Sequence, residues 1–231
     1  MTQPYDPLKD RAGSETRKKI LDAAEQLFSE HGFDATSLRT ITAAAGVNLA
    51  AINYHFRSKD ALIEAVIARR LTPVNQERLA MLAEAEQKAG SGPPPLEDLV
   101  RAMIAPVLRL RLREAEAGIR VGKLFGRTYS DPCEAVRTSF FNHMRPIFHP
   151  FTAAFRRALP GLPPQELIWR LHFGVGVMAH TLAGPEHLRL VSGGLCDLSD
   201  VEAVIERIVN FVCAGMRAPL MAASSKSMEQ L

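Results

Sequence analysis

The sequence predicts an all-α protein that consists of a small N-terminal domain of short helices and a larger C-terminal helical bundle. Apolar residues recur at helical spacing along most of the chain, and no run rich in Val, Ile and Thr alternates as a β-strand would. The chain has 231 residues, 47% of them hydrophobic and 23% charged, with a net charge of +3. This composition supports a hydrophobic core and excludes an intrinsically disordered chain.

A polar arm over 1–13 is predicted to precede the N-terminal domain, which we place at 14–60. Ser14 and Asn48 are suitable N-caps, because their side chains can accept hydrogen bonds from the free N–H groups at a helix start. Gly46 can adopt the positive φ that ends a helix sharply. The three helices of this domain are predicted to cover about 14–32, 37–45 and 48–55 in turn.

The helical bundle is placed at 61–217 and is followed by a small, polar tail at 218–231. Its first helix begins at the N-cap Ser58, is kinked or briefly interrupted at Pro73, and ends before the linker-like AGSGPPP at 89–95. Helical stretches are predicted at about 58–88, 96–112, 114–128, 132–158, 164–183 and 199–216, with loops at 159–163 and 184–198.

The segment 36–59 differs from the rest of the chain in its charge. It carries Arg39, Arg57 and Lys59 and no acidic residue, whereas acids and bases are mixed elsewhere. Two short helices around a turn at 45–47 form the layout of a helix-turn-helix, whose second helix enters the major groove of DNA. An ordinary helical hairpin with a solvated polar face would explain the turn and the apolar spacing, but not the absence of acids.

The outward-facing groups of this segment suit phosphates and base edges. Hydroxyl, amide and ring N–H groups can donate hydrogen bonds to DNA, and basic side chains can pair with phosphates. The hydrogen-bonding candidates are Thr36, Ser37, Thr40, Asn48, Asn53, Tyr54 and His55, and the phosphate-pairing candidates are Arg39, Arg57 and Lys59.

Residues 16–66 resemble the DNA-binding domain of the TetR family of bacterial transcription regulators. The matching text is ILDAAEQLF at 20–28, HGF at 31–33, TSLR at 36–39, AGV at 45–47, NYHF at 53–56, and Ser58-Lys59. The resemblance implies a DNA-binding head joined to a bundle that binds a small ligand and dimerises. It implies that ligand binding changes how two heads meet a palindromic operator.

The resemblance also implies roles for individual residues. Thr36 and Arg39 would contact the DNA backbone, and Tyr54, His55 and Lys59 would clamp phosphates. On or beside the recognition helix would lie Asn48, Leu49, Ala50, Asn53 and Tyr54.

One departure from the family pattern affects the opening of the recognition helix. The family often has residues like Ser-Lys-Gly-Thr there, whereas residues 48–51 are Asn-Leu-Ala-Ala. The change removes a cation and offers apolar contact. Leu49 could touch a thymine methyl group, or it could be a packing residue within the protein.

Three further stretches are similar to the PsrA-type subgroup of the family: NLAAINYHF at 48–56, LIWRLHF at 167–173 and AGMRA at 214–218. Members of that subgroup respond to long-chain fatty acids or their thioesters. The similarity implies an acyl chain in an apolar tunnel, with its head group near Arg120, Lys123 or His172. Those bases could instead be paired with an internal acid such as Glu114 or Glu116.

Aromatic residues are concentrated where such a tunnel would lie, since nine of the fifteen in the chain fall between 124 and 174. Most must form the core of the bundle, and a fraction could line a cavity. The predicted ligand-binding residues are Arg120, Lys123, Leu124, Phe125, Phe141, Phe148, Phe151, His172, Phe173 and Val177.

The last two helices, 164–183 and 199–216, are the most apolar late segments, and we predict that they form the interface of a homodimer. In a two-fold dimer the two heads must lie about 34–36 Å apart to enter successive major grooves. The family resemblance makes repression relieved by ligand the expected regulation, with activation as the alternative.

Residues 96–216 contain no pattern that predicts an enzyme, a cofactor or a metal site. There is no Gly-rich phosphate loop, G-x-S-x-G or H-E-x-x-H motif, and the histidines are not spaced as metal ligands. The competing classes are an enzyme that processes acyl groups in the aromatic domain, a helical adaptor that only retains the fold, and a TetR regulator of a different effector.

Cysteine usage and hydropathy predict a cytoplasmic protein without membrane contact. The three cysteines are widely spaced, which argues against a disulfide framework. The longest stretch without a charged residue, 40–56, contains Thr, Asn, Tyr and His and could not span a bilayer.

Overall fold

The computed structural model describes residues 7–113, 133–183 and 185–220, and these residues form helices and their connections with no β-strand among them. The all-α prediction is confirmed. The helices are α1 (Pro7–His31), α2 (Leu38–Ala45), α3 (Leu49–Phe56), α4 (Lys59–Ala89), α5 (Leu96–Arg113), α6 (Glu134–Ala158), α7 (Pro164–Ala183), α8 (Pro185–Val191) and α9 (Val201–Arg217).

Local signals set the starts and the turn of the short helices. Three side-chain caps accept a backbone N–H: Ser37 from Thr40, Asn48 from Ala51, and Ser58 from Ala61. Gly46 ends α2 with a φ of 65°, as its lack of a Cβ atom allows. The predicted caps at Asn48 and Ser58 and the turn at Gly46 are therefore confirmed.

Three boundaries differ from the prediction. α1 begins at Pro7, so Ser14 lies inside the helix. Proline suits a first helical turn because it has no N–H group, and an N–H group there would lack a partner within the helix. α4 runs through Pro73 without the interruption that was one of the two predicted alternatives, and Leu71 and Val74 beside the proline are buried. The predicted loop 184–198 contains the short helix α8, which starts at a proline. The predicted helix at 114–128 lies outside the described residues.

Buried apolar side chains fix the crossing of α1, α2 and α3 in the N-terminal domain. The rings of Phe28 and Phe33 stack with centroids 4.9 Å apart. The fully buried side chains around them include Ile20, Ala24, Ile41 and Ile52.

α4 connects this domain to the bundle. On the α1 side, Arg70 donates from Nε and Nη2 to the two carboxylate oxygens of Glu25, at 3.0 and 2.6 Å, and Glu25 is only 2% exposed. Farther along, α4 packs against α5 and α6. α4 therefore contacts α1 near one end and the helices of the bundle near the other.

The bundle closes around α5, α7 and α9. Ion pairs join α5 to α9: Arg101 to Glu206, Arg109 to Glu202, and Glu97 to Arg217. Arg170 on α7 donates from Nη1 to the carbonyl oxygens at the end of α9, those of Gly215, Met216 and Ala218. Among the described residues, no helix has an apolar stretch that would cross a bilayer.

Candidate nucleic-acid interface

The recognition helix α3 packs on the core of the N-terminal domain with one face and exposes the other face to solvent. Ile52 is fully buried and Phe56 is 5% exposed, so these two side chains fix the helix on the core of the N-terminal domain. Asn53 is exposed, and Tyr54 is 83% exposed. A phenol exposed to this degree contributes little to folding and is available to a partner.

The start of α3 is also open to solvent. Asn48 accepts the N–H of Ala51 through Oδ1 at 2.9 Å, which leaves the amide NH2 of its side chain free to donate. Ala50 is exposed, and Leu49 is 44% exposed and lies outside the hydrophobic core. The location of Leu49 therefore favours contact with a partner over internal packing.

Two of the phosphate-clamp candidates are oriented by neighbours. The ring of His55 is half-buried and meets Tyr54 edge-on, with centroids 5.0 Å apart. Lys59 donates from Nζ to the carbonyl oxygen of Asp34 at 3.3 Å. The ammonium group keeps two further N–H donors, so this contact positions it without exhausting it.

α2 contributes an exposed polar edge, made of Ser37, Arg39 and Thr40. The hydroxyls of Ser37 and Thr40 lie 2.8 Å apart. Arg39, like Arg57 after α3, makes no ion pair within the described part of the chain. These cations are available for phosphate.

Thr36 requires a correction. Its side chain is 2% exposed, and Oγ1 donates to the carbonyl oxygen of Gly32 at 2.7 Å. The hydroxyl therefore fixes the chain between α1 and α2 and does not face DNA.

Among the described residues, the predicted ligand-binding residues are not brought together. Helical periodicity buries Phe140, Ile147 and Phe151 of α6, so Phe151 is a core residue, whereas Phe141 and Phe148 are 58% and 53% exposed. They face solvent and not a tunnel.

Two of the predicted members on α7 also face outward. His172 is exposed and Phe173 is 60% exposed, and Phe173 stacks on Trp169 with centroids 5.8 Å apart. Val177 is half-buried. Arg120, Lys123, Leu124 and Phe125 lie outside the described residues.

Arg78 was missed by the sequence reasoning. It lies on α4, is 3% exposed, and donates to the carbonyl oxygen of Met103 at 2.8 Å and to Oδ1 of Asn75 at 3.0 Å. It borders a small cavity of about 10 Å³ whose other walls are apolar: Leu71, Val107, Phe140, Met144, Met178, Ala179 and Leu182. The available signal was its position seven residues after Leu71 and four before Leu82, on the buried face of α4.

These features define the class of protein. It is a helix-turn-helix protein, in which a small N-terminal domain presents an exposed recognition helix and a long helix attaches that domain to a separate helical bundle.

Comparison with known proteins identifies the family. Residues 20–66 match the family described as "Bacterial regulatory proteins, tetR family", and residues 101–215 match "Tetracyclin repressor-like, C-terminal domain". The two matches together cover most of the chain, which therefore belongs to the TetR family of transcription regulators.

Individual relatives match over shorter ranges. The HTH-type transcriptional repressor Rv1474c of Mycobacterium tuberculosis is 42% identical over 74 residues, which cover 32% of this chain and 37% of the relative. The HTH-type transcriptional dual regulator CecR of Shigella flexneri is 30% identical over 125 residues, 53% of this chain and 55% of the relative. Because the relatives are named transcription regulators, the prediction that the chain is not an enzyme is confirmed.

Solved structures share the fold over nearly their whole length. NalD, the secondary repressor of the MexAB-OprM multidrug efflux pump in Pseudomonas aeruginosa, is 24% identical with a TM-score of 0.59, over 88% of this chain and 96% of NalD. The regulator FadR from Bacillus subtilis, solved in complex with stearoyl-CoA, is 13% identical with a TM-score of 0.61, over 86% of this chain and 98% of FadR. The comparisons support the family and not the PsrA-type subgroup.

Proposed function

We propose that the protein is a repressor that binds a palindromic operator as a homodimer and is released by a small hydrophobic effector. The observation that carries the proposal is the exposed, acid-free surface of α2 and α3, on which Arg39, Asn53, Tyr54 and Arg57 are available to DNA. Phosphate contacts would set the position of the head, and Asn48, Leu49, Ala50 and Asn53 would face base edges.

The homodimer is proposed to form through α7 and α9. Large apolar side chains are exposed on both helices: Ile168 (57%), Trp169 (49%) and Phe173 (60%) on α7, and Phe211 (67%) on α9. Exposed apolar residues on neighbouring helices are typical of a surface that a partner covers. A second copy of the chain is the partner that a two-fold operator requires.

The effector is proposed to enter at the cavity beside Arg78. The cavity is about the size of one water molecule, so an effector must separate the helices that line it. Apolar walls and one guanidinium suit an amphipathic anion, and a long-chain fatty acid or acyl-CoA is the first class to test. A ligand shifts the equilibrium between two conformations only by the difference in its affinity for them. An effector that fits the opened bundle and not the closed one has such a difference.

Signal transfer is proposed to follow α4. Leu71 and Arg78 on this helix border the cavity, and Arg70 on the same helix is hydrogen-bonded to Glu25 of α1. Separation of the cavity walls would therefore tilt α4 and change the spacing of the two heads.

The test begins with the purified full chain and a random pool of DNA duplexes. We expect one palindromic duplex to be enriched and its affinity to fall steeply with salt. Sodium oleate or oleoyl-CoA is then titrated into the complex, with methyl oleate as a control of equal chain length and no charge. Release by the anions and not by the ester supports the effector proposal.

Two results would reject parts of this proposal. If no duplex is enriched, sequence-specific DNA binding is wrong. If a duplex is enriched but neither anionic ligand weakens its binding, the effector class is wrong while the regulator stands.

A further inference from the structure

Arg57, directly after the recognition helix, has an unusual backbone. Its φ of 67° and ψ of −40° make it the only non-glycine residue with a positive φ among the described residues. Glycine would adopt this conformation freely, whereas an arginine there is strained. Strain of this kind is retained where the side chain serves a function, and the Arg57 side chain is exposed.

A second arginine approaches the same place from α1. The guanidinium carbon of Arg17 lies 5.3 Å from the ring centroid of Phe56, the residue before Arg57. Gly13 lies one turn earlier on α1, and a Cβ atom added there would be 3.9 Å from Cε1 of His55. The face of α1 that carries Gly13 and Arg17 therefore lies along the C-terminal end of the recognition helix.

Arg17 differs from its basic neighbours on α1. Lys18 pairs with Asp22 at 2.9 Å and Lys19 pairs with Glu15 at 3.0 Å. Arg17 is exposed and has no carboxylate partner within the described part of the chain. Its contact with the face of the Phe56 ring orients the guanidinium but uses none of its five N–H donors.

We propose that Arg17 is a DNA-binding residue, and that Arg17 and Arg57 bind neighbouring backbone phosphates at the C-terminal end of the recognition helix. The inference rests on the proposed DNA-binding function. It extends the DNA-binding surface from the helix-turn-helix onto α1, where the sequence pattern indicated no contact. The planar guanidinium of Arg17 can donate two parallel hydrogen bonds to phosphate oxygens, which a lysine cannot.

A purely structural role for Arg17 would be to cover the ring of Phe56. Arg17→Met keeps an unbranched side chain over the ring and removes the charge, and Arg17→Lys keeps the charge. Arg156→Met is the matched control, because Arg156 is an exposed arginine of α6 that makes no ion pair in the described regions. It changes the net charge by the same amount.

The experiment measures the affinity of each full-chain variant for the duplex selected by the wild-type protein, between 50 and 300 mM salt. Loss of one charged phosphate contact in each protomer should lower the slope of log affinity against log salt by about 1.8 for a dimer, at about 0.9 per phosphate. We expect this change for Arg17→Met, with affinity at least about tenfold weaker at 150 mM salt. Arg17→Lys should restore the slope, and Arg156→Met should match the wild type.

The outcomes separate this inference from the proposed function. If Arg17→Met keeps the wild-type affinity and slope while Tyr54→Ala binds weakly, Arg17 only covers Phe56 and the inference is wrong. If Arg17→Met lowers the affinity but leaves the slope unchanged, the effect is structural and the inference is also wrong. If the wild-type chain enriches no duplex, the proposed function itself fails.

Discussion

In the N-terminal domain Arg17, Arg39 and Arg57 are exposed and form no ion pair within the described ranges, whereas Arg101 and Arg170 in the bundle are bound to carboxylates or carbonyl oxygens. The two groups have the same chemistry and opposite surroundings. Arg101 and Arg170 donate hydrogen bonds that join helices of the bundle, whereas an arginine without an ion pair beside a recognition helix is available to an anion. Arg156 of the bundle is also exposed and makes no ion pair in the described regions, so it is the position of Arg17, Arg39 and Arg57 in the N-terminal domain that marks the proposed DNA-binding surface.

The largest expected effect is on the stability of the fold, and it follows from the removal of an arginine that is hydrogen-bonded within the bundle. Arg170 is 7% exposed, and Arg170→Met would leave carbonyl oxygens at the end of α9 and the carboxylate of Glu166 without their donor. We expect a loss of about 3 kcal/mol in the free energy of unfolding, measured by urea denaturation.

A loss below about 0.5 kcal/mol would show that water replaces Arg170 readily, and the contrast with the exposed arginines would then be weak. Arg207→Met is the control, since Arg207 is an exposed arginine of α9.

The next effect concerns the DNA-binding surface. The double variant Tyr54→Ala, Lys59→Ala removes two proposed phosphate contacts. Each contact should contribute about tenfold to the affinity, so operator binding should weaken about 100-fold. Because Tyr54 is 83% exposed, the melting temperature should change little. Lys88→Ala, which removes a cation paired with Glu84 at the far end of α4, should bind as the wild type does. Equal binding by the double variant would show that the DNA-binding surface is misplaced.

A smaller effect on stability is expected at Arg57, where two substitutions separate the contribution of backbone strain from that of the charge. Arg57→Gly should stabilise the fold by about 0.5–1 kcal/mol, because relief of the strained φ outweighs the added freedom of glycine in the unfolded chain. Arg57→Ala keeps the strain and removes the charge. Both variants should bind DNA more weakly, and only the glycine variant should melt at a higher temperature. A glycine variant that is no more stable would contradict the strain argument.

The smallest effect is a pH dependence of the α5–α9 contact. Hydrogen bonds from Arg217 hold the pKa of Glu97 below its ordinary value. The stability that this carboxylate contributes is therefore present above its unfolded pKa of about 4.3 and is lost as pH falls through the lower folded pKa. Both side chains are more than a third exposed, so solvent screens the pair and the effect should be modest.

The measurement compares urea midpoints of the wild type and Glu97→Gln at pH 7 and pH 3. The wild type should lose more stability than the variant. A parallel decline would show that the ion pair contributes nothing.

Short-range signals were enough to predict the helix-turn-helix. Asn48, Ser58 and Gly46 act within three or four residues of their own positions, so their roles follow from sequence alone. Tyr54 and Arg39 are exposed because the apolar period places Ile41 and Ile52 on the opposite face.

The bundle was harder to predict because its residues depend on packing between distant helices. Adjacent phenylalanines show the difficulty, since Phe140 is buried and Phe141 is exposed, and composition cannot choose between them. Thr36 has the residue type of a DNA contact, but its hydroxyl is used within the fold. Arg78 has the residue type of a surface group, yet it is buried and donates a hydrogen bond to the carbonyl oxygen of Met103, which lies 25 residues later on α5.

Pro73 gives α4 a point of low bending stiffness. Proline has no N–H to donate to the carbonyl oxygen of Arg69, so the helix lacks one of its internal hydrogen bonds there. Pro73 lies between Arg70, which is hydrogen-bonded to α1, and Arg78, which borders the cavity. The segment from Pro73 to Lys59 is about 21 Å long at 1.5 Å per residue, and a 10° rotation about Pro73 displaces Lys59 by about 4 Å. Under the proposed signal transfer, α4 would bend near its middle, and in the proposed symmetric dimer the two DNA-binding heads would move by equal amounts.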